Sequence, residues 1–562
     1  MATRTVSRLA QPQPADGLHL ARDGGVEVLV VGYGPVGAVL ANMLARYGVR
    51  TLVIDRFAGI FAQPRAISLD NDALRILQNI GLSEADFETM AIPYVRLQSP
   101  LCGLFGRMNT LGPLNGHPKL VTFHQPGLER ALRDRLADAE TVAVADGVEL
   151  VSLEQHATGV VARVRSTAGE EVVCARYVVA ADGANSIVRK AMGLDFEGRS
   201  FEQDWLIVDA TGSAAPIDHV EFLCDPRRPT PHMMAPGGRE RWEFMLRPGE
   251  SATDALDDAN VAKLLAPWSA LQDLTIERKA VYRFAARTAA RFSKDRVFLV
   301  GDAAHITPPF AGQGLVAGLR DVANLAWKLS WVIQGKASPS ILESYDEERR
   351  PHAKAMIAFA LFTGRLVMPT NRAAALLIHG AMRLGRMLPS VRRYFDESGI
   401  KPINRFRRGL FARGVAANRR LAGDLLPQSW LRDDAGTVRL SDDVLGVGFR
   451  LIGGGVDPQA FLSANSANAL AKIGGRSFQI RFRGQRLPSV PTTERWEDIE
   501  GALIPGSIPL GWVVLVRPDR MIVQAGLAEH VDDMIREAVV LLGCSTTEPT
   551  VQLRNPSRAA IA

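Results

Sequence analysis

The sequence predicts a mixed α/β protein with a βαβ unit in a parallel sheet, an inserted, mostly antiparallel sheet and a separate small α/β domain at the end. Three observations support this prediction. Near the start of the chain, residues 26–47 read as an apolar strand, a glycine-rich turn and a helix. Short β-rich runs separated by Pro and Gly fill residues 201–285. After residue 425, strands and helices alternate again over a length that suits a domain of its own.

Length and composition agree with several globular domains. The chain has 562 residues, of which 47% are hydrophobic and 22% charged. These values exclude disorder and fibrous repeats as the main state, and the length suggests about three domains. The four cysteines are far apart and form no CxxC or Cys/His ligand spacing: Cys102, Cys174, Cys224 and Cys544. We therefore expect reduced thiols and neither a disulfide framework nor a metal site.

The positive charge is concentrated in one stretch. Residues 365–420 contain 13 Lys or Arg and two acidic residues, whereas the whole chain has a net charge of +6. Such a stretch attracts nucleic acid or anionic lipid in some proteins. The alternative is a solvated helical face or a cover over acidic neighbours, which we favour because aromatic residues are sparse there and no nucleic-acid motif occurs.

The ends of the chain and its apolar runs predict a cytoplasmic protein. Residues 1–24 lack an apolar segment and read as a flexible polar tail rather than a secretory signal. No uncharged apolar run reaches the roughly 18 residues that a membrane span needs. We expect no membrane and no nucleic-acid partner, and a homodimer as the assembly.

The sequence predicts strands and helices in a definite order along the chain. Strands are predicted over 26–31 and 51–54 around the first helix, and a helix over 71–80. The inserted sheet is predicted to contain the strands 205–208, 220–223, 242–246 and 280–284. An apolar strand returns at 296–300, and a long helical region covers 314–395. Its helix ends are predicted from four breakers: Gly335, Pro339, Pro351 and Pro369.

A dinucleotide fingerprint lies in the first turn. Gly32-x-Gly34-x-x-Gly37 sits between a strand and a helix, with Pro35 at the helix start. The glycines allow the tight turn, the approach of a pyrophosphate and close packing of helix on strand. Asp55 ends the second strand, next to Arg56, and its carboxylate can accept hydrogen bonds from both ribose hydroxyls of an adenosine. This motif does not distinguish FAD from NAD.

Two further motifs add to it. Residues 177–186 form a strand that runs into Asp182-Gly183 and a helix. Residues 296–305 form a strand that ends in Gly301-Asp302, and Pro308 and the glycines Gly312 and Gly314 follow. A carboxylate at a strand end can hold a ribityl hydroxyl, and glycines at a helix start let backbone N–H groups reach a pyrophosphate or a flavin ring edge.

Together these motifs resemble the class A flavoprotein aromatic hydroxylases, the family of p-hydroxybenzoate hydroxylase. The resemblance covers roughly residues 26–400 and is greatest to the 3-(3-hydroxyphenyl)propionate hydroxylase branch. It is supported by the stretches 64–70, 125–129, 244–250, 324–329 and 349–353.

The resemblance implies a domain plan. It places a Rossmann-like FAD-binding domain of the glutathione-reductase type over 25–200 and 286–400. A substrate-binding β-sheet domain covers 201–285, and a thioredoxin-like domain covers 425–562. Since that last part has one cysteine, Cys544, and no CxxC, we expect it to be redox-silent and structural.

The resemblance also assigns residues. It implies that Gly32, Gly34, Pro35, Gly37, Asp55 and Arg56 bind the ADP half of FAD, and that Arg65 and Gln125 contact the flavin side. Asp182-Gly183 would serve both FAD and the pyridine nucleotide, Gly301-Asp302 the ribityl chain, and Pro308, Gly312, Gly314 and Leu315 the flavin ring. Many relatives have Asn where this sequence has Val316, so only backbone contacts are expected there.

The chemistry implied is hydroxylation of a phenol. NADH or NADPH would reduce FAD, O₂ would add at flavin C4a, and the hydroperoxide would deliver an OH ortho or para to a phenol oxygen. Aromatic catabolism would be the setting. The strand over 242–246 places Trp242, Phe244 and Leu246 on one face, which is either an aromatic wall of the substrate pocket or ordinary sheet core.

Three polar residues are candidates for substrate contact or catalysis. Tyr282 is a candidate proton relay, Arg247 a candidate for holding a substrate carboxylate, and His232 a further polar contact. His305 is expected to shape the turn beside the flavin rather than act as an acid or base. No side chain is required for the flavin chemistry itself.

Competing interpretations stay open at this point. An FAD-dependent dehydrogenase or halogenase would share the fold, although the WxWxIP halogenase signature is absent and Trp327 and Trp331 are four residues apart. A non-catalytic module that binds flavin or nucleic acid would use the basic 365–420 stretch and show a steep salt dependence. The substrate, and NADH against NADPH, are not fixed by these motifs.

Overall fold

A computed structural model describes residues 25–61, 65–213, 215–369, 371–397, 402–412, 421–485 and 493–544. The tail predicted over 1–24 lies outside the described residues, as do residue 64 and parts of the basic 365–420 stretch. Within the described part, no helix is long and apolar enough to cross a membrane.

The first sheet has a parallel core. Its strands lie in the spatial order Val142–Asp146, Thr51–Asp55, Val26–Val31, Gly169–Ala180 and Val297–Leu299. The carboxyl ends of these strands share one edge, because Val31 pairs with both Ile54 and Ala180. Ligands of open α/β sheets bind at this edge. Antiparallel strands extend the sheet at Glu149–Gln155, Val160–Ser166 and Ser293–Lys294.

Helices surround this sheet, and the last two, Arg372–Gly385 and Pro389–Asp396, pack against the strand Gly103–Asn109 of the second sheet. They are Pro35–Arg46, Asn71–Asn79, Gln125–Asp134, Ile187–Ala191, Gly314–Ile333, Ser344–Val367, Arg372–Gly385 and Pro389–Asp396, with short 3₁₀ turns at Gly301–Ala303, Pro309–Ala311 and Pro339–Glu343.

One predicted helix end is wrong. Pro351 lies inside the helix Ser344–Val367 instead of ending it. A proline there removes one backbone hydrogen bond. The packing of its neighbours outweighs this loss, because Glu348 and Arg349 are buried and ion-paired with Arg517 and Asp321.

The second sheet is mostly antiparallel, as the sequence predicts, but larger than the inserted segment. Two of its strands, Tyr94–Ser99 and Gly103–Asn109, come from the preceding part of the chain, and Tyr94–Ser99 pairs in parallel with Val220–Leu223. Local patterns do not show such pairing between distant segments. The spatial order is His305–Ile306, Thr275–Ala289, Phe196–Thr211, Arg239–Met245, Thr230–Ala235, Val220–Leu223, Tyr94–Ser99 and Gly103–Asn109.

Shorter elements complete this region. The helices Ala252–Ala255 and Asp258–Leu265 and the 3₁₀ turn Leu271–Asp273 lie between the strands Arg239–Met245 and Thr275–Ala289. Small sheets join Ser68–Asp70, Leu120–Phe123 and Thr89–Ala91, and separately Pro113–Leu114 and His117–Pro118.

The third sheet forms the C-terminal domain. A βαβ unit, Arg450–Gly454, Ala464–Lys472 and Arg476–Phe482, is followed by the hairpin Trp512–Val516 and Ile522–Leu527 and the helix Val531–Leu541. This arrangement is thioredoxin-like, in agreement with the predicted fold class. Its remaining elements are Trp430–Arg432, Val438–Leu440 and Glu494–Asp498, the helix Ser441–Leu445 and the 3₁₀ turns Pro458–Phe461 and Ala528–His530.

Buried ion pairs join this domain to the first. Arg517 donates to both carboxylate oxygens of Glu348, at 2.6 and 3.0 Å, and Lys328 reaches the same carboxylate at 2.8 Å. A second group pairs Arg75 with Asp442 at 2.7 Å. The C-terminal domain is therefore docked on the domain of the first sheet rather than tethered to it.

Candidate active site

Each of the three positions in the first turn requires glycine for a different physical reason. Gly32 has φ +104°, and a Cβ added there would lie 2.4 Å from the Ala181 carbonyl oxygen. A Cβ on Gly37 would lie 2.0 Å from the Gly32 oxygen, so helix and strand pack backbone to backbone. At Gly34 no heavy atom lies within 4 Å of an added Cβ. The first and third glycines hold the turn together, and the second leaves open space beside it.

The helix Pro35–Arg46 begins at this open space. Its N-cap residue is Gly34, which makes no side-chain capping bond. The first N–H groups and the positive end of the helix dipole suit a phosphate. Asp55 ends the neighbouring strand and accepts from the backbone N–H of Tyr33 at 2.7 Å and of Phe57 at 2.8 Å. Arg56 follows it at the exposed rim.

Two carboxyls occupy the next strand ends. Asp182 accepts from the N–H groups of Ile187 and Val188, and burial raises the pKa of its carboxyl. Burial likewise raises the pKa of Asp302. Among the residues that the structure describes, none donates a hydrogen bond to Asp302. A half-buried carboxylate that borders the cavity and receives no donor suits a ligand hydroxyl. Gly183 and Gly301 both have positive φ, +76° and +58°, as these turns require.

A second helix start faces the same space. Gly312 is left-handed with φ +61°, and the helix Gly314–Ile333 begins two residues later without a side-chain cap. Gln313 donates to Asp70 at 3.2 Å and accepts from Arg320 at 3.0 Å, which fixes the loop. The backbone at 314–315 is thus free to meet a ring edge. Val316 is fully buried and contributes no side chain to the cavity.

Gln125 braces the loop that presents Arg65. Its amide oxygen accepts from the N–H groups of Arg65 at 2.9 Å and Ala66 at 2.8 Å, and its amide nitrogen donates to Glu129 at 2.8 Å. Burial raises the pKa of Glu129. The Gln125 side chain therefore positions the loop, and Arg65 itself lines the cavity.

One cavity of about 1200 Å³ connects these features. Most of the residues predicted to hold the cofactor line it: Gly32, Gly34, Pro35, Asp55, Arg56, Arg65, Gln125, Asp182, Gly183, Asp302, Pro308, Gly312, Gly314 and Leu315. Gly37 and Gly301 lie behind the wall and shape it. The two uncapped helix starts and the donor-free Asp302 carboxylate fit a dinucleotide with a phosphate-rich middle and a flat ring. The individual contacts with FAD stay predictions.

Of the three catalytic candidates, the structure places one at the cavity. Tyr282 lines it, and its hydroxyl oxygen accepts from Arg278 at 2.6 Å. His232 faces away: its ring stacks on Trp242 with centroids 4.8 Å apart, and its Nε2 contacts Glu240 at 2.9 Å. Arg247 lies outside the cavity as an exposed residue, where its Nε donates to the Arg227 carbonyl oxygen.

The aromatic face predicted on this strand is sheet core rather than pocket wall. Trp242, Phe244 and Leu246 are buried and pack with Val261 and Leu265 of the helix behind the sheet. None of the three lines the cavity. Of the two interpretations offered by the alternation, ordinary core is correct.

The opposite face of the same strand supplies residues that sequence reasoning missed. Arg241 pairs with both carboxylate oxygens of Asp209, at 2.6 and 3.0 Å, and Arg278 reaches Asp209 at 3.2 Å. Arg241, Arg278 and Glu243 line the cavity. Burial raises the pKa of Glu243 to about 7, against the opposing charge of Arg241. Strand alternation in the sequence could have identified them, because it puts Arg241 and Glu243 on the face of the strand opposite to Trp242 and Phe244.

Fold and cavity together define a flavoprotein in which a substrate sheet faces a dinucleotide cleft. Residues 25–360 match the family model described as FAD binding domain, and residues 423–540 match the HcaD C-terminal domain. The chain belongs to the FAD-dependent aromatic hydroxylase family.

Its relatives are similar over nearly the whole chain. A 3-(3-hydroxy-phenyl)propionate/3-hydroxycinnamic acid hydroxylase 2 of Burkholderia vietnamiensis is 36% identical over 88% of this chain and 92% of its own. The flavin-dependent monooxygenase PieE, solved with FAD and substrate, has a TM-score of 0.77 at 22% identity, covering 93% of this chain and 100% of its own. Aklavinone-11 hydroxylase has a TM-score of 0.71 at 24% identity, covering 92% and 99%.

Proposed function

We propose that this FAD-dependent hydroxylase acts on a phenol that has an anionic side chain, with NADH or NADPH as the reductant. The observation behind the proposal is a single cavity that joins the dinucleotide cleft to a sheet face bearing Arg241 and Arg278. The names of the curated relatives point to 3-(3-hydroxyphenyl)propionate and 3-hydroxycinnamic acid as the first substrates to test.

When bound, FAD supplies the redox chemistry, which consists of hydride acceptance and activation of O₂. The protein's own part is to bind, orient and exclude water. Apolar side chains of the second sheet, among them Ile207 and Phe222, line the same cavity as the loop at Gly312. Arg241 and Arg278, which Asp209 holds in place, give this wall of the cavity two positive charges against one. A positively charged wall attracts an anionic side chain, so these two arginines take the role predicted for Arg247.

The test is a spectrum followed by an assay. The purified protein should be yellow, and NADH and NADPH oxidation should be followed at 340 nm with a panel of phenols and product analysis. We expect one phenolic acid to stimulate oxidation and to yield a product about 16 mass units heavier. The matched phenol without its carboxylate should bind more weakly. Oxidation with no oxygenated product would favour the dehydrogenase alternative, and a colourless protein that does not take up FAD would contradict the proposal.

The basic stretch is partly neutralised by the fold. Arg386 pairs with Asp396 at 2.5 Å, and Arg405 pairs with Asp424. This supports the interpretation of 365–420 as a cover over acidic neighbours rather than a nucleic-acid surface. The cytoplasmic location stays a prediction.

The homodimer is also a prediction, and one surface supports it. The helix Arg372–Gly385 and the turn after it expose apolar side chains at helical spacing: Leu376, Leu377, Leu384, Met387 and Leu388. Exposed apolar stripes of this length commonly mark protein interfaces, and two-fold dimers are the commonest assemblies.

A further inference from the structure

We propose that Glu243 is the catalytic residue that accepts the phenolic proton of the substrate during hydroxylation. This inference rests on the proposed function, since it assigns a role within the same cavity. It adds a proton acceptor, which neither the sequence motifs nor the names of the relatives identify.

Strand register sets the place of Glu243. Glu243 pairs with Ile207 on the adjacent strand, one row from the ion-paired Arg241 and Asp209. Ile207, Arg241 and Glu243 all line the cavity. Glu243 therefore lies on the same face of the sheet as Arg241 and borders the cavity.

The other polar groups on this face of the sheet either already accept hydrogen bonds from arginines or act as hydrogen-bond donors. Both carboxylate oxygens of Asp209 accept from arginines. The Tyr282 hydroxyl oxygen already accepts from Arg278, so its own proton is directed elsewhere and the group acts as a donor. Among the described residues, none donates a hydrogen bond to Glu243. It is the carboxyl on the substrate sheet that is left to take a proton from a ligand.

The electrostatics suit a proton acceptor near neutral pH. Burial disfavours the charged carboxylate and raises its pKa to about 7. A general base works best when its pKa lies near the working pH. The charged groups that act on it are Arg241 on its own strand, Asp209 on the next and Arg278 on the third. The same cavity is also lined by Tyr282, Arg65 and Asp302.

The step balances without a further reactant. The phenol O–H bond breaks, its proton forms a new O–H bond on the Glu243 carboxylate, and the electron pair stays on the substrate oxygen. Glu243 returns the proton to solvent when the product leaves.

The experiment compares the wild-type holoenzyme with E243Q, using 3-(3-hydroxyphenyl)propionate as the probe. We expect the ultraviolet difference spectrum of the bound probe to show phenolate in the wild type above about pH 7 and only phenol in E243Q. Removal of a general base should lower kcat by about 100-fold or more. The wild-type kcat/KM should rise through about pH 7, and this acid limb should be absent in E243Q.

Two variants serve as controls. E243D keeps a carboxylate and should restore the acid limb with part of the rate. E221Q removes a carboxylate from the same sheet outside the cavity and should behave like the wild type.

The outcomes separate the two proposals. Hydroxylation by the wild type, together with an E243Q variant that keeps its acid limb and the phenolate spectrum, overturns the role of Glu243 alone. If E243Q and E243D both lose FAD, the residue is structural and the inference is also overturned. No hydroxylated product from the wild type with any phenol overturns the proposed function, and this inference with it.

Discussion

At the residue scale, two glycines of the same turn have different roles: Gly37 is needed for folding, and Gly34 is needed for ligand binding. Gly34 has φ −73° and open space at an added Cβ, whereas an added Cβ on Gly37 meets a carbonyl oxygen at 2.0 Å. We expect Gly37→Ala to destabilise the protein by about 1–3 kcal/mol through overpacking. Gly34→Ala should leave the stability of the FAD-free protein nearly unchanged and weaken FAD binding at least tenfold, because the methyl group enters the cavity.

Thermal unfolding of the FAD-free proteins and titration with FAD, followed by flavin fluorescence, measure the two effects. The pair is its own control, since the same methyl group is added on the same turn. Equal losses of FAD affinity with no change in stability for either variant would argue against this division of roles.

At the element scale, the helix Gly314–Ile333 does more than line the cavity with its first turn. Within it, Asp321 accepts from the Gly301 N–H at 3.1 Å, from His305 at 2.7 Å and from Arg349 at 2.9 Å. Burial opposes its ionisation, but the charges of His305 and Arg349 outweigh it and lower the pKa of Asp321. His305 thus shapes the turn after Asp302 through this carboxylate.

Replacing that carboxylate should loosen the strand end that presents Asp302. We expect Asp321→Asn to cost about 3 kcal/mol of stability, since it leaves a buried arginine without its charge partner, and to weaken FAD binding. Denaturant unfolding and FAD titration measure this. Asp346→Asn provides a control, because Asp346 pairs with Arg350 in a more exposed position on the neighbouring helix. A D321N variant with unchanged FAD affinity would separate this helix from the cofactor site.

At the scale of the whole molecule, local motifs predicted the first sheet, its helices and the residues around the dinucleotide cleft, because each depends on a few consecutive positions. The substrate wall was not predictable in the same way. Asp209 meets Arg241 and Arg278 only through strand register across segments far apart in sequence. His232 and Arg247 were plausible candidates by residue type, but strand alternation and a loop direct them away from the cavity.

The docking of the C-terminal domain also has a consequence for the cofactor cleft. Asp442 of that domain binds Arg75, whose helix begins after Asp70. Asp70 accepts hydrogen bonds from Gln313 and Arg320 next to the loop at Gly312. Burial opposes ionisation of Asp442, yet Arg75 and Arg520 lower its pKa to about 2. The carboxylate is therefore stabilising above its ordinary pKa of 3.8, and that stabilisation is lost as the pH falls toward 2.

We expect Asp442→Asn to lower the free energy of unfolding by about 3 kcal/mol at pH 7, because two buried arginines lose their partner. The difference from the wild type should shrink as the pH falls below 3.8. FAD affinity should fall as well, because the pair of Asp442 with Arg75 supports the helix that follows Asp70, and Asp70 holds Gln313.

Denaturant unfolding between pH 3 and 7 and flavin titration measure both effects. The control is Asp443→Asn, at the exposed neighbouring position, which should change stability by less than about 0.5 kcal/mol. A D442N protein that loses stability but keeps its FAD affinity would show that the C-terminal domain supports the fold without supporting the cleft.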